Sequence, residues 1–247
     1  MSVEIGQVTA VVLAGGFGTR VRHLLPELPK PMAPVAGKPF LEWVIRYLAA
    51  QGLKRVVIST GYRSEVVAQH FQAAPVAGVH VTCVAELEPL GTAGGFLHAA
   101  RASGEQPPAW LVLNGDSLVF ADLGLVVGEF ARPACAGVVI GRSVPDASRY
   151  GSLVVGPENE LLRFEEKRPG AGLINSGIYC LRHTLLKEFP GESPLSFEKD
   201  VFPVTTARGA RLKVISTEAP FLDIGTPETL PQAESFIRQN LHFFARD

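Results

Sequence analysis

The sequence predicts an α/β protein with a mixed, mostly parallel central sheet flanked by helices, and three observations lead there. Short β-branched apolar runs recur at 8–14, 55–59, 79–84 and 110–113, the pattern of strands covered on both faces. Helical patterns lie between them, and strand alternating with helix over the first 115 residues implies right-handed crossovers and parallel pairing. After residue 135 the rhythm changes to strand-like segments with less helix, which predicts an antiparallel or mixed extension of the same sheet.

The first strand, 8–14, runs straight into the glycine-rich stretch Gly15-Gly16-Phe17-Gly18. Leu41, Val44, Ile45 and Leu48 then fall at i, i+3, i+4 and i+7, one apolar helical stripe that Gly52 can close. Residues 63–71 and 92–102 read as the next two helices. Segments 136–142, 151–155, 161–166, 173–181 and 211–216 read as strands. Thr226-Pro227-Glu228 offers an N-cap residue with Pro at N1. Pro231 sits badly inside that helix, so a short first turn and a restart are expected. No linker or internal repeat divides the chain, which favours one domain over 1–247 with halves at about 1–116 and 117–247.

Composition narrows the function classes. Lys and Arg number 23 against 24 Asp and Glu, a net charge of -1, without the basic excess expected of a nucleic-acid binder. No apolar run approaches the roughly 18 residues of a membrane span, and the first 19 residues carry neither Lys nor Arg, unlike a signal peptide. Three cysteines with no CxxC pair suit a reducing cytoplasm. The six histidines form no HxxH or HExxH pair, which argues against a histidine–zinc site. Glycine and proline, 25 and 19 residues, make up 18% of the chain against about 12% usually. Low hydrophobicity and repetition are both missing, so the excess serves particular places rather than disorder.

The most informative of those places follows the first strand: Leu13-Ala14-Gly15-Gly16-Phe17-Gly18-Thr19-Arg20, then Pro29-Lys30-Pro31. Glycines directly after a buried strand let backbone N–H groups approach a phosphate chain. A dinucleotide fingerprint needs a third glycine where Val21 stands and a helix where His23-Leu24-Leu25-Pro26 stands. A P-loop needs Gly-Lys-Ser/Thr, which the chain lacks. A plain structural turn leaves the flanking cations Arg20 and Lys30 unexplained. Asp116 follows the run 110–113 closely, at the carboxyl end of a strand, where open α/β sheets bind ligands. For an isolated aspartate the alternative there is a turn or N-cap residue.

Taken together, these blocks resemble the signature of the nucleotidyltransferases that make nucleotide-sugars from a nucleoside triphosphate and a sugar 1-phosphate. The resemblance spans nearly the whole chain: Gly37-Lys38-Pro39, Glu88-Pro89-Leu90-Gly91-Thr92-Ala93-Gly94-Gly95, Asn114-Gly115-Asp116, Arg149-Tyr150-Gly151, Glu165-Glu166-Lys167, Asn175-Ser176-Gly177 and Asp223-Ile224-Gly225-Thr226. Lys30-Pro31-Met32-Ala33-Pro34-Val35 and the Arg-Tyr-Gly block most resemble D-glycero-α-D-manno-heptose 1-phosphate guanylyltransferases. The fold so implied is the Rossmann-like nucleotide-diphospho-sugar transferase (GT-A type) fold. The reaction so implied is attack of a sugar-phosphate oxygen on the α-phosphorus of an NTP, with GTP favoured and Mg2+ as cofactor.

By resemblance, Leu13, Ala14, Gly15, Gly16, Gly18, Thr19, Arg20, Gly91, Thr92, Asn114 and Asp116 bind the nucleotide. Tyr150, Gly151, Glu166, Lys167 and Asn175 bind the sugar phosphate, and Asp116 with Asp223 holds the metal. Arg20, Lys30 and Asp116 carry the catalysis, in which two anions must be brought together by fixed positive charge. The attacking phosphate oxygen is already ionised, so no general base is needed. Taken alone, Glu165-Glu166-Lys167-Arg168 is a solvated turn, and Asn175 can serve either a hydroxyl or a phosphate. Other sugar 1-phosphates and bases, a non-catalytic nucleotide-sugar sensor and a dehydrogenase are the competing readings. Expected partners are the two small-molecule substrates, with no nucleic acid and no membrane, and a homo-oligomer is compatible with the sequence.

Overall fold

The computed structural model describes residues 3–191 and 194–245. In chain order, β1 (Thr9–Ala14) leads through a long loop to the short hairpin β2 (Pro34–Val35) and β3 (Lys38–Pro39), which feeds α1 (Phe40–Ala50). Alternation continues through β4 (Arg55–Thr60), α2 (Ser64–Ala73), β5 (His80–Ala85), α3 (Gly91–Ser103) and β6 (Ala109–Asn114). Then come β7 (Ser117–Val119), α4 (Leu123–Gly128), β8 (Cys135–Val144), β9 (Ser152–Val155), β10 (Leu161–Glu165) and β11 (Gly172–Arg182). A π-helical turn, Phe197–Val201, runs into α5 (Phe202–Ala207), followed by β12 (Arg211–Thr217), β13 (Phe221–Asp223) and α6 (Ala233–Gln239).

Among the described residues the main sheet has nine strands, ordered β10-β9-β11-β6-β1-β4-β5, with β8 joining β11 to β12. β6, β1, β4 and β5 are mutually parallel. β11 pairs antiparallel with β6, β8 and β9, whereas β12 joins β8 in parallel. The mixed extension expected of the second half is therefore present, and the β6–β11 pairing makes it continuous with the first.

Strand β1 shows why this arrangement forms. Ala10, Val12 and Ala14 enter the core layer that contains α1, while Val11 enters the opposite layer with Phe96 and Ala99 of α3. Both faces are dry, and fully burying each valine contributes roughly 1.5–3 kcal/mol. In α1 the predicted stripe Leu41, Val44, Ile45 and Leu48 is wholly buried. The helix also buries Glu42 at 4% exposure. Such a charge needs partners, and it has Lys38 Nζ at 3.1 Å, Arg46 Nε at 2.8 Å and His70 Nε2 of α2 at 2.9 Å. Burial pushes the Glu42 carboxyl up, but these three partners together hold it below its ordinary value.

At the C-terminal end, Leu230–Gln232 forms a 3-10 turn before α6 starts at Ala233, the restart expected at Pro231. Phe236, Phe243 and Phe244 pack on Phe120, with the Phe120 and Phe243 rings stacked 4.3 Å apart. This returns the end of the chain to α1, where Phe244 meets Trp43 edge-on at 4.9 Å. No helix among the described residues is long and apolar enough to cross a membrane.

Candidate active site

The glycine-rich segment leaves the carboxyl end of β1 as coil and turns rather than opening a helix, and Val21 is buried at 1% exposure. Both features exclude the dinucleotide fingerprint. Beside this loop lies a cleft of about 360 Å³, lined by Leu13, Gly15 and Gly16, by Gly91 and Thr92, and by Asn114 and Asp116. Seven predicted nucleotide-binding residues thus line one cleft. The Ala14 side chain is in the core, so only its backbone can face a ligand. Gly18 packs on the stem of Lys30, and Thr19 and Arg20 are exposed.

Four charged residues gather at the end of this cleft. Lys30, on the short 3-10 turn Lys30–Met32, makes an ion pair with Asp116 Oδ2. Asp116 sits in the turn between β6 and β7. β7 pairs antiparallel with β13, setting Asp223 opposite Ser117, and the Ile224 N–H donates to the Asp116 carbonyl at 3.0 Å. This two-stranded sheet brings the two aspartates together. Arg20 completes the group: a Cβ placed on Gly225 would lie 3.3 Å from Arg20 Nη2 and 2.6 Å from Asp223 Oδ1. Burial first, and the Asp116 charge second, push the Asp223 carboxyl above its ordinary value, while the Gly225 N–H, Lys30 and Arg20 oppose the rise.

Of the predicted sugar-side residues, Tyr150 lies next to this group. Tyr150 packs edge-on against Phe221 of β13 at 5.8 Å, and its phenol is raised by burial and then by Asp223. Gly151 immediately precedes β9, while Glu166 and Lys167 immediately follow β10. Because Ser152 pairs with Glu165, all three fall at one end of the β9–β10 hairpin. Glu166 and Lys167 are exposed; it is Glu165 that pairs with Arg163 and Arg168. Asn175 joins them through its backbone N–H, which donates to the Gly151 carbonyl at 2.9 Å.

A family model described as nucleotidyl transferase matches residues 9–240. The chain belongs to the nucleotidyl transferase family. A D-glycero-α-D-manno-heptose 1-phosphate guanylyltransferase of Campylobacter jejuni is 33% identical over 220 residues, covering 89% of this chain and 95% of that protein. A mannose-1-phosphate guanylyltransferase of Mycobacterium tuberculosis is 34% identical over 90% of this chain, which spans 62% of that protein. The crystal structure of HddC from Yersinia pseudotuberculosis superposes with a TM-score of 0.80 at 32% identity, covering 92% of this chain and 98% of that one. HddC complexed with GMP-PN gives 0.78 at 33% identity. The nucleotidyltransferase therefore has the GT-A-like fold of nucleotide-sugar enzymes.

Within this nucleotidyltransferase two features escaped the sequence reading. Glu86 immediately follows β5 and lines the cleft, its Oε1 held by the buried Ser59 hydroxyl at 2.6 Å and its Oε2 by the Leu90 N–H at 3.4 Å. It occupies the space a side chain at Gly15 would need, 2.8 Å from Oε1. The available signal was its place after a parallel strand, the same place that marked Asp116. In sequence it is masked by the charged stretch Glu86-Leu87-Glu88. The second feature is the segment 195–198, which braces the Pro89-Leu90-Gly91-Thr92 loop: Leu195 N–H donates to the Leu90 carbonyl at 2.8 Å, and Phe197 N–H to Thr92 Oγ1 at 3.2 Å. Gly91, predicted to bind the nucleotide, lines the cleft and carries a packing constraint as well. Its φ is +75°, and any Cβ there would strike the Leu195 backbone, so the glycine is required by internal packing.

Proposed function

We propose that this enzyme transfers GMP from GTP to D-glycero-α-D-manno-heptose 1-phosphate, releasing pyrophosphate and forming a nucleotide-sugar. The observation that carries the reading is the convergence of Arg20, Lys30, Asp116 and Asp223 at the end of the glycine-lined cleft. On this reading 1–247 is one nucleotidyltransferase domain, with the nucleotide in the half 1–116 and the sugar phosphate in the half 117–247. Cytoplasmic residence belongs to the same proposal, in keeping with the free thiols of Cys83, Cys135 and Cys180.

Asp116 and Asp223 suit Mg2+. They are hard oxygen donors, each is brought into the other's field by the β7–β13 pairing, and Mg2+ takes one or two carboxylates with phosphate oxygens and water. No group of three or more metal-ligating side chains occurs among the described residues, so substrate oxygens would complete the set. When bound there, the ion supplies Lewis-acid charge to the phosphates. Arg20 can hold two phosphate oxygens at once through its planar guanidinium, placing positive charge where the α-phosphate and departing pyrophosphate accumulate negative charge. Lys30, already fixed against Asp116, adds a point charge without having to be ordered during the reaction. Lys167 faces the sugar phosphate, and Glu166 accepts from sugar hydroxyls.

Base choice follows from Glu86. A carboxylate accepts two parallel hydrogen bonds, which matches the adjacent N1–H and N2–H donors on guanine. Uracil and thymine offer one such donor beside an acceptor that the carboxylate would repel. Glu86→Gln, able to donate as well as accept, should therefore lower the kcat/KM ratio of GTP over dTTP by about 10–100-fold, the effect of one or two mismatched hydrogen bonds. An unchanged ratio would take Glu86 out of base selection.

Mannose 1-phosphate is the second reading for the sugar, favoured by the likeness to the M. tuberculosis enzyme. Pyrophosphate release measured for four NTPs against heptose, mannose, glucose and N-acetylglucosamine 1-phosphates, with and without Mg2+, separates these. The GTP and heptose pair should turn over fastest and only with Mg2+. A faster pair elsewhere in the matrix replaces the substrate assignment, and no turnover in any combination overturns the enzymatic reading.

A further inference from the structure

Strand β11 changes register between Asn175 and Tyr179, where Gly177 takes a φ of +74°. Bulges of this kind re-aim side chains next to functional sites. Here the bulge brings Asn175 Nδ2 to 2.7 Å from the Tyr179 hydroxyl and 3.2 Å from Glu198 Oε1. The Tyr179 hydroxyl is itself 2.7 Å from Glu198 Oε1. Ser196 Oγ donates to the other carboxylate oxygen, Oε2, at 2.7 Å. Glu198 stands on the π-helical turn Phe197–Val201, a geometry found disproportionately at functional sites.

The direction of every hydrogen bond in this network is determined. A carboxylate can only accept, so Tyr179 spends its single proton on Glu198 and is left to accept from Asn175. Burial, reinforced by Glu198, pushes the Tyr179 phenol far above its ordinary value, which keeps that proton on the ring oxygen. The Asn175 amide group therefore turns its NH2 toward Tyr179 and Glu198, whose two oxygens lie only 2.7 Å apart and share one of its protons. Its carbonyl, Oδ1, accepts from the Gly177 N–H at 3.0 Å. Flipping the amide would set Oδ1 against a carboxylate and NH2 against another N–H, two repulsive contacts in place of three attractive ones.

We propose that Glu198 is a positioning residue for the sugar 1-phosphate: through Tyr179 it locks the Asn175 amide in one of its two orientations, so that Asn175 meets the sugar with Oδ1 on the Gly177 side and NH2 on the Tyr179 side. The sequence left Asn175 able to serve either a sugar hydroxyl or a phosphate oxygen, and the network fixes which way round its amide stands when it does so. The inference rests on the reading that Gly151 and Asn175 face the sugar 1-phosphate.

Steady-state kinetics of pyrophosphate release by Glu198→Ala, Asn175→Ala and the double variant test it. Glu198→Ala should raise KM for the sugar 1-phosphate about tenfold, the effect of one lost hydrogen bond to a positioned group, and leave KM for GTP unchanged. Asn175→Ala should do the same, and the double variant should be no worse than either, because both act on one contact. Glu198→Gln should recover most of the loss, since its carbonyl can take the place of Oε1 while its NH2 faces Ser196 Oγ. Among monodeoxy sugar 1-phosphates, the one that wild type rejects most through this contact should be rejected about tenfold less by Glu198→Ala. Equal increases in both KM values, additive single effects, or a Glu198→Gln variant as impaired as Glu198→Ala would overturn the proposal. Should Glu198→Ala not fold, Tyr179→Phe keeps the ring packing and decides the matter: an unchanged sugar KM overturns the relay. Wild type inactive with every sugar 1-phosphate would instead mean that the transferase reading itself has failed.

Discussion

Asp116→Ala is expected to reduce pyrophosphate release by a thousandfold or more, roughly 4 kcal/mol of lost transition-state stabilisation. Two consequences of the geometry combine in that figure. One of the two carboxylates proposed to hold Mg2+ is removed, and Lys30 loses the partner that fixes it. The side chain of Asp116 is 27% exposed and that of Lys30 12%, so the fold should survive with Tm lowered by about 2–4 °C, the response to roughly 1 kcal/mol in a domain of this size. A coupled pyrophosphate assay and a thermal melt measure the two effects separately. Turnover at the wild-type rate would remove Asp116 from the mechanism, and a collapse of the melt would show its role to be structural.

Asp223→Asn should separate activity from stability in opposite directions. The folded protein raises the Asp223 carboxyl above its unfolded value through burial and the nearby Asp116. The neutral form is thus the one the fold prefers. Stability tied to this group is present below the unfolded value, about 3.9, is lost as pH rises from there through the raised folded value, and is absent at neutral pH. Asparagine has no charge to lose, and its carbonyl can still accept from the Gly225 N–H. In Mg2+-free buffer at neutral pH the variant should therefore melt about 2–4 °C above wild type, again the response to roughly 1 kcal/mol, while turnover falls by about a hundredfold or more. Mg2+ should raise the Tm of wild type and raise that of Asp223→Asn less. Equal stabilisation of both proteins by Mg2+ would place the ion elsewhere.

The parts of the site that were legible in the sequence are those where chemistry and local backbone coincide. Arg20 and Lys30 flank a glycine-rich turn, and Asp116 follows a strand end; each carries its signal within a few neighbours. Glu86 carried the same strand-end signal as Asp116, but one more acidic residue two positions later makes it resemble a solvated charged run. Glu198 had no local signal. Phe197-Glu198-Lys199-Asp200 reads as an ordinary polar turn, and its meaning depends on Tyr179 and Asn175 reaching it across a bulge in another strand. Gly91 carries a constraint its neighbours in sequence do not reveal, because the backbone that forbids a side chain there belongs to Leu195.

The layer arrangement follows from the order of residues alone. A run such as Val8 to Ala14 must be covered on both faces to remove its apolar area from water, and alternating helices are the way to cover it. Which distant segments meet is a different kind of fact. That β13 pairs with β7 and so sets Asp223 beside Asp116, or that Glu198 orients Asn175, is fixed by hydrogen bonds and packing between residues far apart in the chain. Periodicity and motif spacing carry information over a few turns or strands, whereas the polarity of a hydrogen-bond network exists only once its members have been folded into reach.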